Sequence, residues 1–133
     1  MAFKMEQLPT GSTPYVLIDE EKGYMKLEGR FFHEKVTDIF KEINDWLNDY
    51  LTTDFGEFVF NFELDYINSS ASKLLFNMLL NLDKYASDKK KIIVNWISNE
   101  NNEIMIEYGE DFREEMENLK FNIENKDEDP DTI

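Results

Sequence analysis

Residues 58–82 read FVFNFELDYINSSASKLLFNMLLNL, and inside this stretch the apolar pattern changes from that of a strand to that of a helix. Phe58, Phe60 and Phe62 alternate with Val59, Asn61 and Glu63 in a β-rich run that ends at Leu64, which predicts a strand at least half buried. Ala71, Leu74, Leu75, Met78, Leu79, Leu82 and Tyr85 then fall at helical spacing. Phe76 and Leu80 widen that stripe, so the helix is expected to be packed on much of its circumference. A core strand therefore runs directly into a core helix. That is half of a crossover unit, and it points to an α/β fold.

The flanking sequence agrees. From Glu34 to Leu51, Val36, Ile39, Phe40, Ile43, Trp46, Leu47, Tyr50 and Leu51 lie on one helical face. Residues 91–97, KIIVNWI, form a β-branched run of the kind found in interior strands. A last helical stretch from about Asn102 to Glu117 carries Ile104, Met105, Tyr108, Phe112 and Met116, and Gly109 is expected to break it into two turns. A short strand at Leu119–Ile123 can close the sheet. At the amino-terminal side YVLID (15–19) and YMKLE (24–28), with Gly23 in the turn between them, read as a β-hairpin. The expectation is one domain over residues 1–124, a mixed sheet of four or five strands with about three helices. Residues 125–133 are expected to be an acidic, mobile tail that aids solubility.

Composition narrows the function classes. The chain has 133 residues, of which 41% are hydrophobic and 14% aromatic, enough for a single core. It has 29 acidic residues against 14 basic ones, a formal net charge of −15. Such a field repels phosphate backbones and anionic lipid, so nucleic acid and membrane surface are poor partners, and a protein with a basic patch is a better one. Without cysteine there is no disulfide scaffold, thiol nucleophile or cysteine-based zinc site. The opening MAFKMEQLPT lacks an apolar signal core, no apolar run has the length of a membrane span, and a cytoplasmic location is expected.

Polar chemistry is concentrated at the strand–helix join, LDYINSSASK (64–73). The ordinary role of Asn68 and Ser69 there is helix capping, in which a short side-chain oxygen accepts from the first free N–H groups. The same physics suits a modification. A phosphate on Ser69 would meet free backbone N–H groups and the positive end of the helix dipole, with Lys73 one turn along. Ser70 is the alternative hydroxyl.

Several segments together resemble the SiaC family of bacterial regulatory phosphoproteins, which are similar in style to anti-sigma-factor antagonists. They are STP at 12–14, Gly29 and Arg30, the helix ending in Trp46, Leu47 and Tyr50, the LDYINSSASK join, and the late Trp96 strand followed by Tyr108, Gly109 and Glu110. The resemblance implies a STAS-like fold and a role in cyclic-di-GMP signalling and biofilm formation. It also implies that the residue after the motif asparagine, here Ser69, is phosphorylated by a serine/threonine kinase and dephosphorylated by a PP2C-type phosphatase. The unphosphorylated form is implied to bind and activate a diguanylate cyclase, a GGDEF protein. Three positions depart from the family pattern: Ser69 stands where threonine is usual, Ile67 where an aromatic is usual, and His33 where proline is common. Serine remains phosphorylatable. Tyr66, Asn68, Ser70, Lys73 and Arg30 are the expected partner-contacting residues, and no cofactor or metal is expected.

Other residues carry less. His33 is the only histidine and reads as a helix-entry residue, since acid–base catalysis needs mapped partners. Glu100, Glu103 and Glu107 lack the oxygen spacing and turn glycine of a calcium loop and read as a solvated face. Phe58, Phe60, Phe62, Trp46 and Trp96 read as core, without interleaved basic residues. Two further functions stay open: an antagonist that switches partners to act on transcription, and a small hydrolase using Asp65 and Glu63. The hydrolase is disfavoured because these two carboxylates are expected on opposite faces of their strand.

Overall fold

The expected hairpin forms between β2 (Tyr15–Asp19) and β3 (Tyr24–Phe31), antiparallel, with Gly23 at φ 66° in its turn. The computed structural model describes residues 2–126, the side chains of 33–36 excepted. After the hairpin come α1 (His33–Tyr50), β4 (Glu57–Ile67), α2 (Ser69–Tyr85), β5 (Lys91–Asn99), α3 (Glu103–Glu115) and β6 (Lys120–Lys126). A strand at Lys4–Gln7, β1, precedes them and pairs antiparallel with β2. The sheet therefore has six strands, in chain order β1 to β6, with β3 to β6 parallel. This corrects the expected four or five. KMEQ has no apolar alternation because β1 is an edge strand that buries almost nothing.

Each of β3, β4 and β5 is joined to its neighbour by a helix, and right-handed crossovers between adjacent parallel strands place all three helices on one face. Burial follows from this. β2, β3, β4 and β5 alternate buried and half-buried residues along most of their lengths. Val16, Leu27, Phe60 and Trp96 lie on the helix-covered side, with Ile43 and Leu47 of α1 and Leu75 and Leu79 of α2 closing the core. On the uncovered face the amides of Asn61, Asn95 and Asn122, which are register partners, form a hydrogen-bonded row. Asn122 donates to Asn95 (2.9 Å), Asn95 to Asn61 (2.8 Å), and Asn61 to the Tyr24 hydroxyl (3.1 Å).

The outer helix is held by two contacts. Asp83, near the end of α2 and only 8% exposed, accepts from the backbone N–H groups of Glu117 (3.1 Å), Asn118 (2.7 Å) and Leu119 (2.9 Å), and so fixes the turn between α3 and β6. Trp96, 1% exposed, donates its indole N–H to the Met105 carbonyl at 2.8 Å and lies flat beneath Gly109. Gly109 does not break α3, which is continuous over Glu103–Glu115. Its missing side chain makes room for the indole. β6 runs to Lys126, past the expected domain end at 124, and residues 127–133 of the expected tail lie outside the described residues.

A Cβ built on Gly109 would stand 2.4 Å from Trp96 Cδ1. Gly109→Ala is therefore expected to lower stability by about 1–3 kcal/mol in urea unfolding through overpacking, although alanine favours an exposed helix by roughly 1 kcal/mol. A stabilised variant would mean that α3 does not rest on the indole as described.

Candidate functional site

The carboxyl ends of β3 and β4 and the start of α2 meet at one corner of the sheet. β3 and β4 pair evenly from Tyr24↔Val59 to Gly29↔Leu64, then skip Asp65, so that Arg30 faces Tyr66 and Phe31 faces Ile67. This extra residue in β4 reverses its alternation: Ile67 turns into the core and Tyr66, 43% exposed, joins Arg30 on the uncovered side. The strand extends three residues past the expected end at Leu64. The Arg30 guanidinium lies 5.4 Å from the centre of the Phe32 ring and 5.7 Å from that of Tyr66, and the two rings are 5.1 Å apart. These are cation–π distances, and among the described residues Arg30 has no ion pair.

Capping belongs to Asn68. Its side-chain oxygen accepts from Ala71 N–H at 2.9 Å, its carbonyl accepts from Ser72 N–H at 2.9 Å, and its own N–H donates to the Phe31 carbonyl at 3.4 Å. The helix start is thus tied to β3 as well as capped. Ser69 is the first residue of α2, exposed, and its hydroxyl makes no hydrogen bond among the described residues. Ser70 is likewise exposed. Ser72 differs: its hydroxyl donates to the Ser69 carbonyl at 2.7 Å. The first turn of α2 contains no acidic residue, so no side-chain carboxylate in that turn complements the positive end of the helix dipole. Lys73 is exposed on the next turn, where it borders an open groove of about 390 Å³ with Phe76, Phe112 and Asp111.

Two neighbours were missing from the sequence reading of this corner. Asn102 caps α3 by accepting from Met105 N–H at 3.3 Å, and its amide also donates to the Asp65 carbonyl at 2.9 Å, which clamps the bulge. An asparagine before a helical stripe signals the cap, but the second bond joins elements far apart in sequence. Phe32 stands two residues after Arg30, and strand alternation was the available signal that both share a face.

The remaining candidates disperse. Glu63 and Asp65 are two residues apart, which in a regular strand puts them on the same face, so the reason expected for their divergence is corrected. The register shift leaves Asp65 as the extra residue of β4, and it borders an open groove with Glu28 and Lys126. Glu63 lies 3.5 Å from Lys126, and Asp65 is exposed. Glu100, Glu103 and Glu107 are exposed, and among the described residues no group of three or more His, Asp or Glu side chains is arranged to hold a metal ion. His33 opens α1, and its expected side-chain role lies outside the described residues. Phe58, Phe60, Phe62 and Trp96 are core, and Trp46 is half-buried at its edge. Because the strand order never reverses, the sheet lacks the crevice between opposed helices in which open α/β sheets bind nucleotides. No helix among the described residues is long and apolar enough to cross a membrane.

Residues 7–126 match the model of the SiaC family regulatory phosphoproteins. An uncharacterized protein of Pseudomonas aeruginosa (strain UCBPP-PA14) is 26% identical over 119 residues, covering 90% of this chain and 94% of the relative. Among solved structures, apo-SiaC from Pseudomonas aeruginosa superposes with a TM-score of 0.82 at 23% identity, over 92% of this chain and 98% of that one. A second similar structure is that of the diguanylate cyclase SiaD in complex with its activator SiaC from the same species, with a TM-score of 0.83 at 24% identity over 92% and 99% of the two chains.

The division of labour at the helix start is directly measurable. Asn68→Ala is expected to cost about 1 kcal/mol of stability through loss of the cap, whereas Ser69→Ala is expected to stay within about 0.5 kcal/mol of the parent. Equal losses in urea unfolding would assign the cap to both side chains.

Proposed function

The chain belongs to the SiaC family of regulatory phosphoproteins, and from that premise we propose that its unphosphorylated form binds and activates a diguanylate cyclase, with phosphorylation of Ser69 ending the interaction. It acts as a regulator and not as an enzyme. The carrying observation is that Ser69 presents an unused, exposed hydroxyl at the start of α2 while Asn68 does the capping. A kinase can take that hydroxyl without dismantling the helix. The cyclase complex of the related SiaC supports the choice of target.

The surface around Ser69 is suited to docking. Tyr66 and Phe32 with Arg30 beside both rings provide an aromatic, singly cationic patch, and Ser70 and Lys73 flank the hydroxyl on the helix. A phosphate would bring about −1.5 to −2 charges and three acceptor oxygens to this corner. The amides of Ser69 and Ser70 and the helix dipole would hold it there, since the first turn has no carboxylate to compete. A partner surface that fits the uncharged hydroxyl then meets a solvated dianion, and docking fails through desolvation and repulsion. A serine/threonine kinase would write this state and a PP2C-type phosphatase would erase it. A basic groove on the cyclase would complement the −15 charge of the chain.

The test is cyclic-di-GMP production by a GGDEF-domain cyclase from the same genome, with added wild type, Ser69→Ala, or protein carrying phosphoserine at position 69 by direct incorporation. Wild type and Ser69→Ala are expected to stimulate alike, and the phosphoserine form to need a roughly tenfold or greater concentration. Equal stimulation by all forms would remove Ser69 as the switch. Stimulation only by the phosphoserine form would reverse its sign.

A further inference from the structure

A second surface is built on the opposite half of α1, where Phe3, just before β1, packs against it. Phe3, Trp46, Tyr50 and Phe55 form a continuous ring stack. Successive centroids are 5.2, 5.4 and 4.9 Å apart and interplanar angles are 15°, 24° and 19°. The first three rings are half-buried and line an open cleft of about 770 Å³. Helical spacing places carboxylates along the same rim: Glu42, Asp45 and Asp49 from α1, with Glu20 opposite. Glu20 accepts the Trp46 indole N–H at 2.8 Å, which orients the ring edge. Glu42 and Asp49 have no cation partner among the described residues, and Asp45 has only Lys41, at 3.4 Å with both side chains largely exposed. Lys4, the one cation lining the cleft among the described residues, lies 3.8 Å from Glu21. Burial, and after it the charge of Glu20, raises the Tyr50 phenol above its ordinary pKa, in keeping with a partly buried, negative wall.

We propose that this cleft is a docking groove for an arginine-bearing segment of a partner protein. Half-buried, offset-stacked rings beside uncompensated carboxylates fit a planar guanidinium, which stacks on ring faces and bonds carboxylates in pairs, better than they fit the compact, strongly hydrated ammonium of lysine. The net charge of −15 draws a basic segment toward the surface. A second copy of this chain is a poor occupant, because it carries the same net charge of −15 and has only two arginines, Arg30 and Arg113, far apart in sequence.

The groove works apart from Ser69. Ser69 lies at the end of the sheet where α1 begins, whereas Trp46 and Tyr50 lie in the last turns of that helix, on the order of 20 Å away at 1.5 Å per residue. That separation is about twice the screening length in physiological salt, so a phosphate on Ser69 leaves the groove's field nearly unchanged. The inference therefore stands or falls independently of the phosphorylation switch.

The full chain would be titrated, at physiological ionic strength, with a blocked peptide containing two arginines separated by glycine, and with its citrulline counterpart. Trp46 is the reporter, since Trp96 is buried. Saturable binding at least roughly tenfold tighter for arginine than for citrulline is expected. Glu42→Gln with Asp49→Asn, both exposed and so tolerated by the fold, should weaken it by roughly tenfold. Phosphoserine at position 69 should change it by less than about twofold. The proposal is overturned if citrulline binds as well. It is also overturned if Glu110→Gln with Glu114→Gln on α3 weakens the peptide equally, which would show a diffuse acidic field, or if spermidine competes as strongly as arginine does.

Discussion

Each crossover in this protein returns to the strand next door, and a right-handed turn between adjacent parallel strands delivers its helix to the same face every time. Everything else in the architecture follows from that repetition. One side of the sheet becomes a core closed by α1, α2 and α3, and the other side stays uncovered. The carboxyl ends of β3 and β4 and the start of α2 are brought to one corner, and the last turns of α1 are carried to the far end, beside the hairpin and β1. Two surfaces with different chemistry are thereby separated by the length of a helix. A doubly wound sheet of the same length would instead place helices on both faces and open a crevice where the order reverses.

Helices on one face must also be spaced, and the spacing here is set by a few contacts of high specificity. Asp83 is a buried carboxylate that, among the described residues, is met by backbone N–H groups rather than by a cation. Such bonds are stronger than neutral ones, so the anion gathers three consecutive amides and fixes the direction in which β6 departs. Trp96 and Gly109 fix the distance of α3 from the sheet by the thickness of an indole. Asn102 links the start of α3 to the bulge in β4, so that the corner holding Ser69 is braced from two helices.

What could be read from the sequence is what depends on neighbours in the chain. The hairpin, three helices and the β4 and β5 strands announce themselves through local periodicity, and so does the cap at Asn68. Long-range contacts do not. Gly109 looks like a helix breaker until the indole beneath it is seen, and KMEQ has no pattern because an edge strand needs none. The bulge at Asp65 depends on pairing with Gly29, so Tyr66 could be named as a contact residue while its orientation toward Arg30 could not be derived. Asp83 reads as one more acidic residue among 29. Phe3 reads as a stray aromatic, and only the fold brings it against Trp46.

The row of asparagines across the uncovered face has a consequence for how the chain finds its own pairing. Asn61, Asn95 and Asn122 come from three strands separated by helices, and they meet only when β4, β5 and β6 are all aligned as observed. A slip of one residue in any strand would turn its amide toward the core, where an unmatched polar group costs about 1–3 kcal/mol. Parallel pairing is assembled from distant segments and offers many near misses during folding. The row therefore acts like a vernier scale: its marks line up for a single alignment, and a misreading by one residue is penalised.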